Sequence, residues 1–182
     1  MVFPTDTVYG IGCSPFNQPA VERVIRIKQR DEKKPLPVLV GKLSDAEKLV
    51  DLGEKGRLLA QKYWPGPVTI LAPLLDKAIA PKITAGTNKL AVRIPANKCI
   101  LSLLQRSKFL VGTSANLAGH ASPKSADEVL MSGLEGYDML LDGGPVGTGS
   151  ESTIVDITNL TVTREAAVSA EEIFRLLGAR KL

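Results

Sequence analysis

Phe3-Pro4-Thr5-Asp6-Thr7-Val8-Tyr9-Gly10-Ile11-Gly12 is the stretch around which this chain reads most coherently. The apolar start before it, Met1–Phe3, reads as a strand. Pro4 should stop that strand, because proline has no N–H to give a sheet ladder. Gly10 and Gly12 supply backbone freedom and let another group approach closely. Between them, Thr5, Asp6, Thr7 and Tyr9 put hydroxyls and a carboxylate on a constrained loop. Taken alone, such a stretch reads first as a strand-to-helix turn whose polar groups satisfy local amides. Later segments overturn that reading.

Beyond this loop, Pro19–Gln29 spaces Val21, Val24, Ile25 and Lys28 as one face of a helix, with Arg30 just past its end. Lys34-Pro35 blocks further helix, and Leu36–Val40 is apolar and β-branched enough for a buried strand. Ser44 offers an N-cap for a short helix, and Glu54–Tyr63 reads as a second, ended by Trp64-Pro65-Gly66-Pro67. Val68–Ala72 reads as a strand and Asp76–Lys89 as mostly loop. Leu90–Ile94 alternates Leu90, Val92 and Ile94 against Ala91 and Arg93, which puts Arg93 on the face opposite its apolar neighbours. Asn97–Gln105 is a predicted helix, and Phe109–Gly112 a strand running into Thr113-Ser114-Ala115-Asn116. A helix follows over Ser125–Met131, with Ser125 as its N-cap. Strands at Met139–Leu141 and Thr153–Ile157 flank the glycine-rich Gly143–Ser150. Thr161–Thr163 is a last short strand, and Gly178 stops a closing helix over Ser169–Leu177. This interleaving predicts a single α/β domain over 1–182 with a twisted, mixed parallel and antiparallel sheet flanked by helices.

Composition agrees with a globular protein: 182 residues, 44% hydrophobic and 23% charged. The two cysteines, Cys13 and Cys99, form no metal or redox motif, so reduced thiols in a cytoplasmic protein are the simplest account. No run reaches the length of a membrane span, and the start lacks the pattern of a signal peptide. The net charge of +4 suits an anionic ligand such as a nucleotide, or weak contact with RNA.

Two sets of residues could carry chemistry. The cationic set is Lys28-x-Arg30 and Lys33-Lys34 near one turn, joined by Arg93 and Arg164 from far along the chain. Any one of these is commonly a solvated surface charge. Lys28 and Arg30 stand out at the end of an apolar helix face, and Arg93 inside a strand, where a charge needs a partner. A polyphosphate is one such partner, since guanidinium grips phosphate oxygens in a fork and lysine adds a point charge. The second set is neutral donors at strand ends: Thr113-Ser114-Ala115-Asn116, Ser122-Pro123 and Glu151-Ser152-Thr153, suited to a nucleotide or a small polar substrate. The sequence has no GxxxxGK[ST] phosphate loop, no dinucleotide fingerprint and no HExxH. Its one histidine, His120, lies in a loop, which leaves a Ser-His-Asp or Cys-His hydrolase poorly supported. Aromatics at 4% are too few for an RNA-stacking sheet.

The order of the motifs carries a resemblance. P-T-D-T-V-Y-G-I-G at Pro4–Gly12, K-x-R at Lys28–Arg30, K-P-L at Lys34–Leu36 and W-P-G-P-V-T at Trp64–Thr69 come first. V-R-I-P at Val92–Pro95, T-S-A-N at Thr113–Asn116 and E-S-T-I-V-D at Glu151–Asp156 follow. The series closely resembles the YrdC-like threonylcarbamoyl-AMP synthases of the single-domain TsaC type, over nearly the whole chain. That resemblance implies a YrdC-like fold around a large, basic, concave cavity. It also implies a nucleotidyltransferase reaction: L-threonine, bicarbonate (or CO2) and ATP become threonylcarbamoyl-AMP and pyrophosphate. A downstream threonylcarbamoyl transferase complex then modifies the adenosine beside the anticodon of ANN-decoding tRNAs.

By the same resemblance, Lys28 and Arg30 would hold phosphates as the catalytic pair, with Lys34 a weaker addition. Ser114, Asn116 and Ser122 would contact the nucleotide, and Arg164 would lie along it. Thr7, Arg93, Thr113 and Ser152 would hold threonine, Arg93 taking its carboxylate, with Thr5 a weaker addition. Magnesium would accompany ATP, with no protein ligand for it identified. The chain departs from the family pattern at Leu39, where many members carry histidine, at Lys89 in place of a threonine, and at Asp31 in place of a proline. By the same resemblance, the segment that normally precedes the first strand and the extra C-terminal domain some relatives carry after the closing helix are expected to be missing here. Two other readings stand beside this one: carbamoyl-adenylate chemistry as in HypF-type domains, and a non-catalytic RNA-binding module whose groove would be the basic cavity.

Overall fold

Alternation along the strands builds a sheet with one greasy face and one face left open to a cavity. The computed structural model describes residues 1–147 and 150–178, so Thr148 and Gly149 of the predicted glycine-rich loop lie outside the described residues. Strands β3 (Val38–Val40), β4 (Val68–Pro73), β5 (Lys89–Arg93), β6 (Phe109–Val111), β8 (Thr153–Asp156) and β9 (Thr161–Arg164) form one sheet, in the order β6-β3-β5-β4-β8-β9. Its β3/β5 and β4/β8 pairs are parallel and the others antiparallel. Strands β1 (Val2–Pro4), β2 (Tyr9–Ile11) and β7 (Thr113–Ser114) form a second, antiparallel sheet in the order β1-β2-β7.

On the larger sheet Val38, Val40, Val68, Ile70, Ala72, Leu90, Val92 and Val155 point into the main core. The core is closed by buried side chains of helices α1 (Gln18–Ile27), α2 (Leu43–Leu49), α3 (Gly53–Tyr63), α4 (Pro81–Thr84) and α7 (Ala170–Leu176). The residues between them, Leu39, Thr69, Leu71, Ala91, Arg93 and Ile154, line the cavity instead. Helix α5 (Lys98–Ser107) packs Ile100 and Leu104 beneath Phe3, Leu39 and Leu110. Helix α6 (Ala126–Met131) packs Val129 against Val2, Tyr9 and Ile11. The two sheets meet closely at Gly12, where a Cβ would lie 1.6 Å from the Val111 carbonyl oxygen, so no other residue fits. Among the described residues no helix is long and apolar enough to cross a membrane.

The local signals place most elements, and the exceptions have physical causes. Ser125 caps α6 as predicted, accepting from the Glu128 N–H at 3.1 Å. Ser44 does not cap α2, whose N-cap is Lys42 with no side-chain bond. The predicted Asp76–Lys89 loop contains α4, because Pro81 is preset for a first helical turn and Ile79, Ala80 and Ile83 are buried in the core. The strand Leu36–Val40 shortens to β3, since the Leu36 N–H goes to the Ile83 carbonyl at 2.8 Å.

β1 stops at Pro4 as predicted, with Pro4 as its last residue, paired with Tyr9. Pro4 stops something else as well. The predicted strand Met139–Leu141 is only a parallel bridge to Val2, with Val2 N–H to Met139 O at 2.7 Å and Leu141 N–H to Val2 O at 2.9 Å. The next bond of that ladder would need an N–H from Pro4, which has none.

Candidate functional site

Both sheets contribute to one cavity of about 560 Å³. It is lined by Thr5, Thr7, Lys28, Arg30, Lys34, Arg93, Thr113, Ser114, Asn116, Ser152 and Arg164, together with apolar Phe3, Leu39, Leu71, Ala91 and Ile154. All the predicted site residues except Ser122 are therefore brought together. Ser122 reaches the wall indirectly, by donating to Glu151 Oε1 at 3.1 Å.

The amino-terminal loop is set by one hydroxyl. Thr5 Oγ1 donates to Val8 O at 2.6 Å and accepts from the N–H groups of Thr7 and Val8, both at 3.2 Å. That turn leaves Thr7 aimed at Arg93, whose Nη1 donates to Thr7 Oγ1 at 3.2 Å. Arg93 Nη2 pairs with Asp6 Oδ1 at 2.6 Å and its Nε donates to Gly66 O at 2.9 Å. Gly66 is demanded there: a Cβ would lie 2.3 Å from Tyr63 O. Burial pushes the Arg93 guanidinium down from its ordinary value and Asp6 opposes that shift, but arginine stays charged. Tyr9, grouped with the loop's polar side chains in the sequence, turns away from the cavity and donates to Gly144 O at 2.8 Å.

Further cations, Lys28, Arg30 and Arg164 among them, line the cavity. Lys28 is 2% exposed at the C-terminal cap of α1. Its ammonium donates to Asn116 O at 2.7 Å, to Asn116 Oδ1 at 3.2 Å, and to Ser114 O. Burial first, then the nearby Arg30 charge, push it down to about 8, with Glu151 opposing. Arg30 is half-buried and curls back to donate to Pro35 O at 3.0 Å and Lys34 O at 3.4 Å, tying the K-x-R turn to K-P-L. Arg164 donates through Nε to Ser152 O at 2.9 Å and through Nη2 to Ser152 Oγ at 3.1 Å, and its Nη1 pairs with Glu151 Oε2. Asn116 Nδ2 donates to His120 O at 2.6 Å, which holds its amide in place at the wall. Exposed His120 gives the site a backbone oxygen and no imidazole.

Three participants escaped the sequence reading of site residues. Thr69 Oγ1 is 2.8 Å from Ser152 Oγ, Asp6 holds Arg93, and Glu151 holds Arg164 and Ser122. Thr69 carried a usable signal, since it alternates with core-facing Val68 and Ile70. Of the three departures, Leu39 lies in the cavity's apolar floor and Asp31 on its exposed rim. Lys89 does not line the cavity; its ammonium is bound to Asp156 Oδ2 at 2.7 Å.

Comparison with known proteins places the chain in a family. Residues 1–166 match the family model named for Sua5, YciO and YrdC, described as "Telomere recombination". The chain belongs to the Sua5/YciO/YrdC family. Within that family, the threonylcarbamoyl-AMP synthase of Pyrococcus abyssi is 33% identical over 98% of this chain and 53% of its own length. The threonylcarbamoyl-AMP synthase of Idiomarina loihiensis is 30% identical over 92% of this chain and 91% of its own. The crystal structure of P. abyssi Sua5 complexed with L-threonine superposes with a TM-score of 0.90, at 33% identity over 99% of this chain and 54% of that one. Escherichia coli YciO, 23% identical with a TM-score of 0.81 over 94% of this chain and 85% of its own, shares the fold. The chain spans about half the length of the P. abyssi protein and of the Bacillus subtilis threonylcarbamoyl-AMP synthase it also matches.

Proposed function

We propose that this member of the Sua5/YciO/YrdC family makes threonylcarbamoyl-AMP from L-threonine, bicarbonate or CO2, and ATP, as a nucleotidyltransferase. The observation that carries the reading is the gathering, in one cavity, of an anchored arginine, Arg93, with Lys28, Arg30 and Arg164. The relatives named for this reaction and the neighbour solved with L-threonine support it.

In this reading Arg93 takes the threonine carboxylate, with Thr7, Thr113 and Ser152 around it and Thr5 shaping the loop. The threonine amine becomes a carbamate, bicarbonate losing water or CO2 adding directly. A carbamate oxygen bonds to the α-phosphorus as the bond to the pyrophosphate oxygen breaks, and pyrophosphate leaves. Two anions must meet, so charge neutralisation and positioning dominate, and no nucleophilic side chain is needed. Arg30 and Arg164 supply hydrogen bonds to phosphate oxygens, Lys28 adds charge from the wall, and Lys34 adds charge from the rim. Ser114, Asn116 and Ser122 contact the nucleoside side. Among the described residues no three His, Cys, Asp or Glu side chains are grouped to hold a metal ion. Magnesium would therefore enter on the triphosphate. The adenylate would pass to a transferase acting on tRNA.

The test is pyrophosphate release from ATP and bicarbonate, with and without L-threonine, with mass spectrometry of the product. Threonine-dependent release with threonylcarbamoyl-AMP formed is the expected result. Failure of the folded chain to bind ATP would overturn the reading.

A further inference from the structure

The cationic wall is not empty of anions, because it holds one of its own. Among the described residues lining the cavity the acids are Asp31, on the exposed rim, and Glu151, which sits among the cations. Glu151 Oε2 pairs with Arg164 Nη1, and Oε1 accepts from Ser122 Oγ at 3.1 Å. Its charge is also felt at both Lys28 and Arg30. One carboxylate therefore occupies the two donors, Arg164 and Ser122, that the nucleotide would use. A carboxylate and a phosphate present the same kind of oxygen pair to a guanidinium fork.

We propose that Glu151 is a built-in stand-in for a substrate phosphate: it holds Arg164, and with it the nucleoside-side donor Ser122, until the triphosphate arrives and displaces it. The inference rests on the reading of this wall as the ATP site. It follows from charge and exposure. A polyanion entering beside Glu151 meets a like charge and two donors already engaged, so it must take them over. The Glu151 side chain is 33% exposed and lies on a segment outside helix and strand, so it can turn to water with little desolvation to reverse. Until then it offsets the mutual repulsion of Lys28, Arg30 and Arg164. Glu151 acts on the reaction through Arg164, as a positioning residue whose contribution opposes binding.

That sign sets it apart from a structural role. Calorimetric titration of magnesium-ATP and of pyrophosphate should show Glu151→Gln binding both about tenfold tighter than the unaltered chain, with Glu151→Asp between the two. The gain should shrink as salt is raised. Unchanged or weaker binding by E151Q, in a chain that keeps its circular dichroism, would overturn the proposal while leaving the ATP site standing. Absence of ATP binding in the unaltered chain would remove both. Carbodiimide labelling of the unaltered chain, read by mass spectrometry, needs no variant. Saturating ATP should increase modification of Glu151, and protection of Glu151 would overturn its displacement.

Discussion

Arg93 and Arg164 line the same cavity and each pairs with a carboxylate, yet the Arg93 side chain is 6% exposed and that of Arg164 39%. Arg93 spends Nε, Nη1 and Nη2 on Gly66, Thr7 and Asp6, from two segments far apart in the chain. Releasing it would leave charge in a buried place, so the arrangement is fixed before any ligand arrives. Arg164 is bound to its own neighbours Glu151 and Ser152 across one strand connection, in partial contact with water. Its ion pair is exchangeable at small cost. The Arg93 part of the cavity is thus prebuilt, and Arg164 is held by a partner that water can reach.

The widest separation between the two sides should come from removing each arginine. Arg93→Ala should cost about 3–5 kcal/mol of stability in urea unfolding, because it removes a buried guanidinium that ties Asp6, Thr7 and Gly66 together. It should also raise the threonine KM by two orders of magnitude or more, by about the scale of a lost charged contact. Arg164→Ala should cost under about 1 kcal/mol by the same unfolding measurement. Equal losses of stability would erase the distinction between the fixed and the exchangeable pair.

Next in size, Arg30→Ala should cut adenylate formation by about 10²-fold or more while the melting curve stays close to that of the unaltered chain. The Arg30 guanidinium donates its hydrogen bonds to the Lys34 and Pro35 carbonyls at the same turn, so little of the fold depends on it. Full activity in that variant would sink its role on the phosphate side.

Lys28 sharpens the comparison through pH. With its ammonium pushed down to about 8 by burial, the cationic wall should lose charge as pH rises through that value. ATP affinity should fall there, and ATP binding just above pH 8 should be accompanied by proton uptake, measurable in buffers of different ionisation enthalpy. Stability should move the other way. The unfolded chain binds the Lys28 proton up to its ordinary value of 10.5, so from about 8 to 10.5 this group makes the fold more stable as pH rises. Lys28→Arg should flatten the fall in ATP affinity across this window, since arginine remains charged. A wild-type ATP affinity constant from pH 7 to 9.5 would contradict the assignment.

The smallest effect is expected at Thr69, which lines the cavity and shares a hydroxyl hydrogen bond with Ser152. Thr69→Val keeps the shape and removes one hydrogen bond of about 1 kcal/mol. The threonine KM should rise roughly fivefold with ATP affinity unchanged. A larger change in ATP affinity than in threonine KM would place Ser152 on the phosphate side instead.

Much of this architecture is local information. The alternation Leu90–Ile94 predicts Arg93 on the face opposite the core, and β5 buries Leu90 and Val92 while Arg93 lines the cavity. The Ser125 cap and the helix over Pro19–Gln29 are equally local, set by hydrogen bonds and periodicity within a few residues. The short segments misread were those decided by neighbours remote in the chain. Asp76–Lys89 coils into α4 because the core has room for Ile79 and Ile83, and Met139–Leu141 pairs for one residue because it meets Pro4.

For the site, residue types and their order pointed to a basic cavity for anionic reactants, because that chemistry needs guanidinium, ammonium and hydroxyl groups wherever they sit in the chain. Only the tertiary structure decided who holds whom. Lys28 reaches the carbonyls of Ser114 and Asn116, Thr69 meets Ser152, and Asp6 and Glu151 sit beside Arg93 and Arg164. Side-chain periodicity reports which face a residue takes, a property of its own strand or helix. Hydrogen bonds and ion pairs between segments depend on distances set by the packing of all the others, and they decide which charge is locked and which is free to be exchanged.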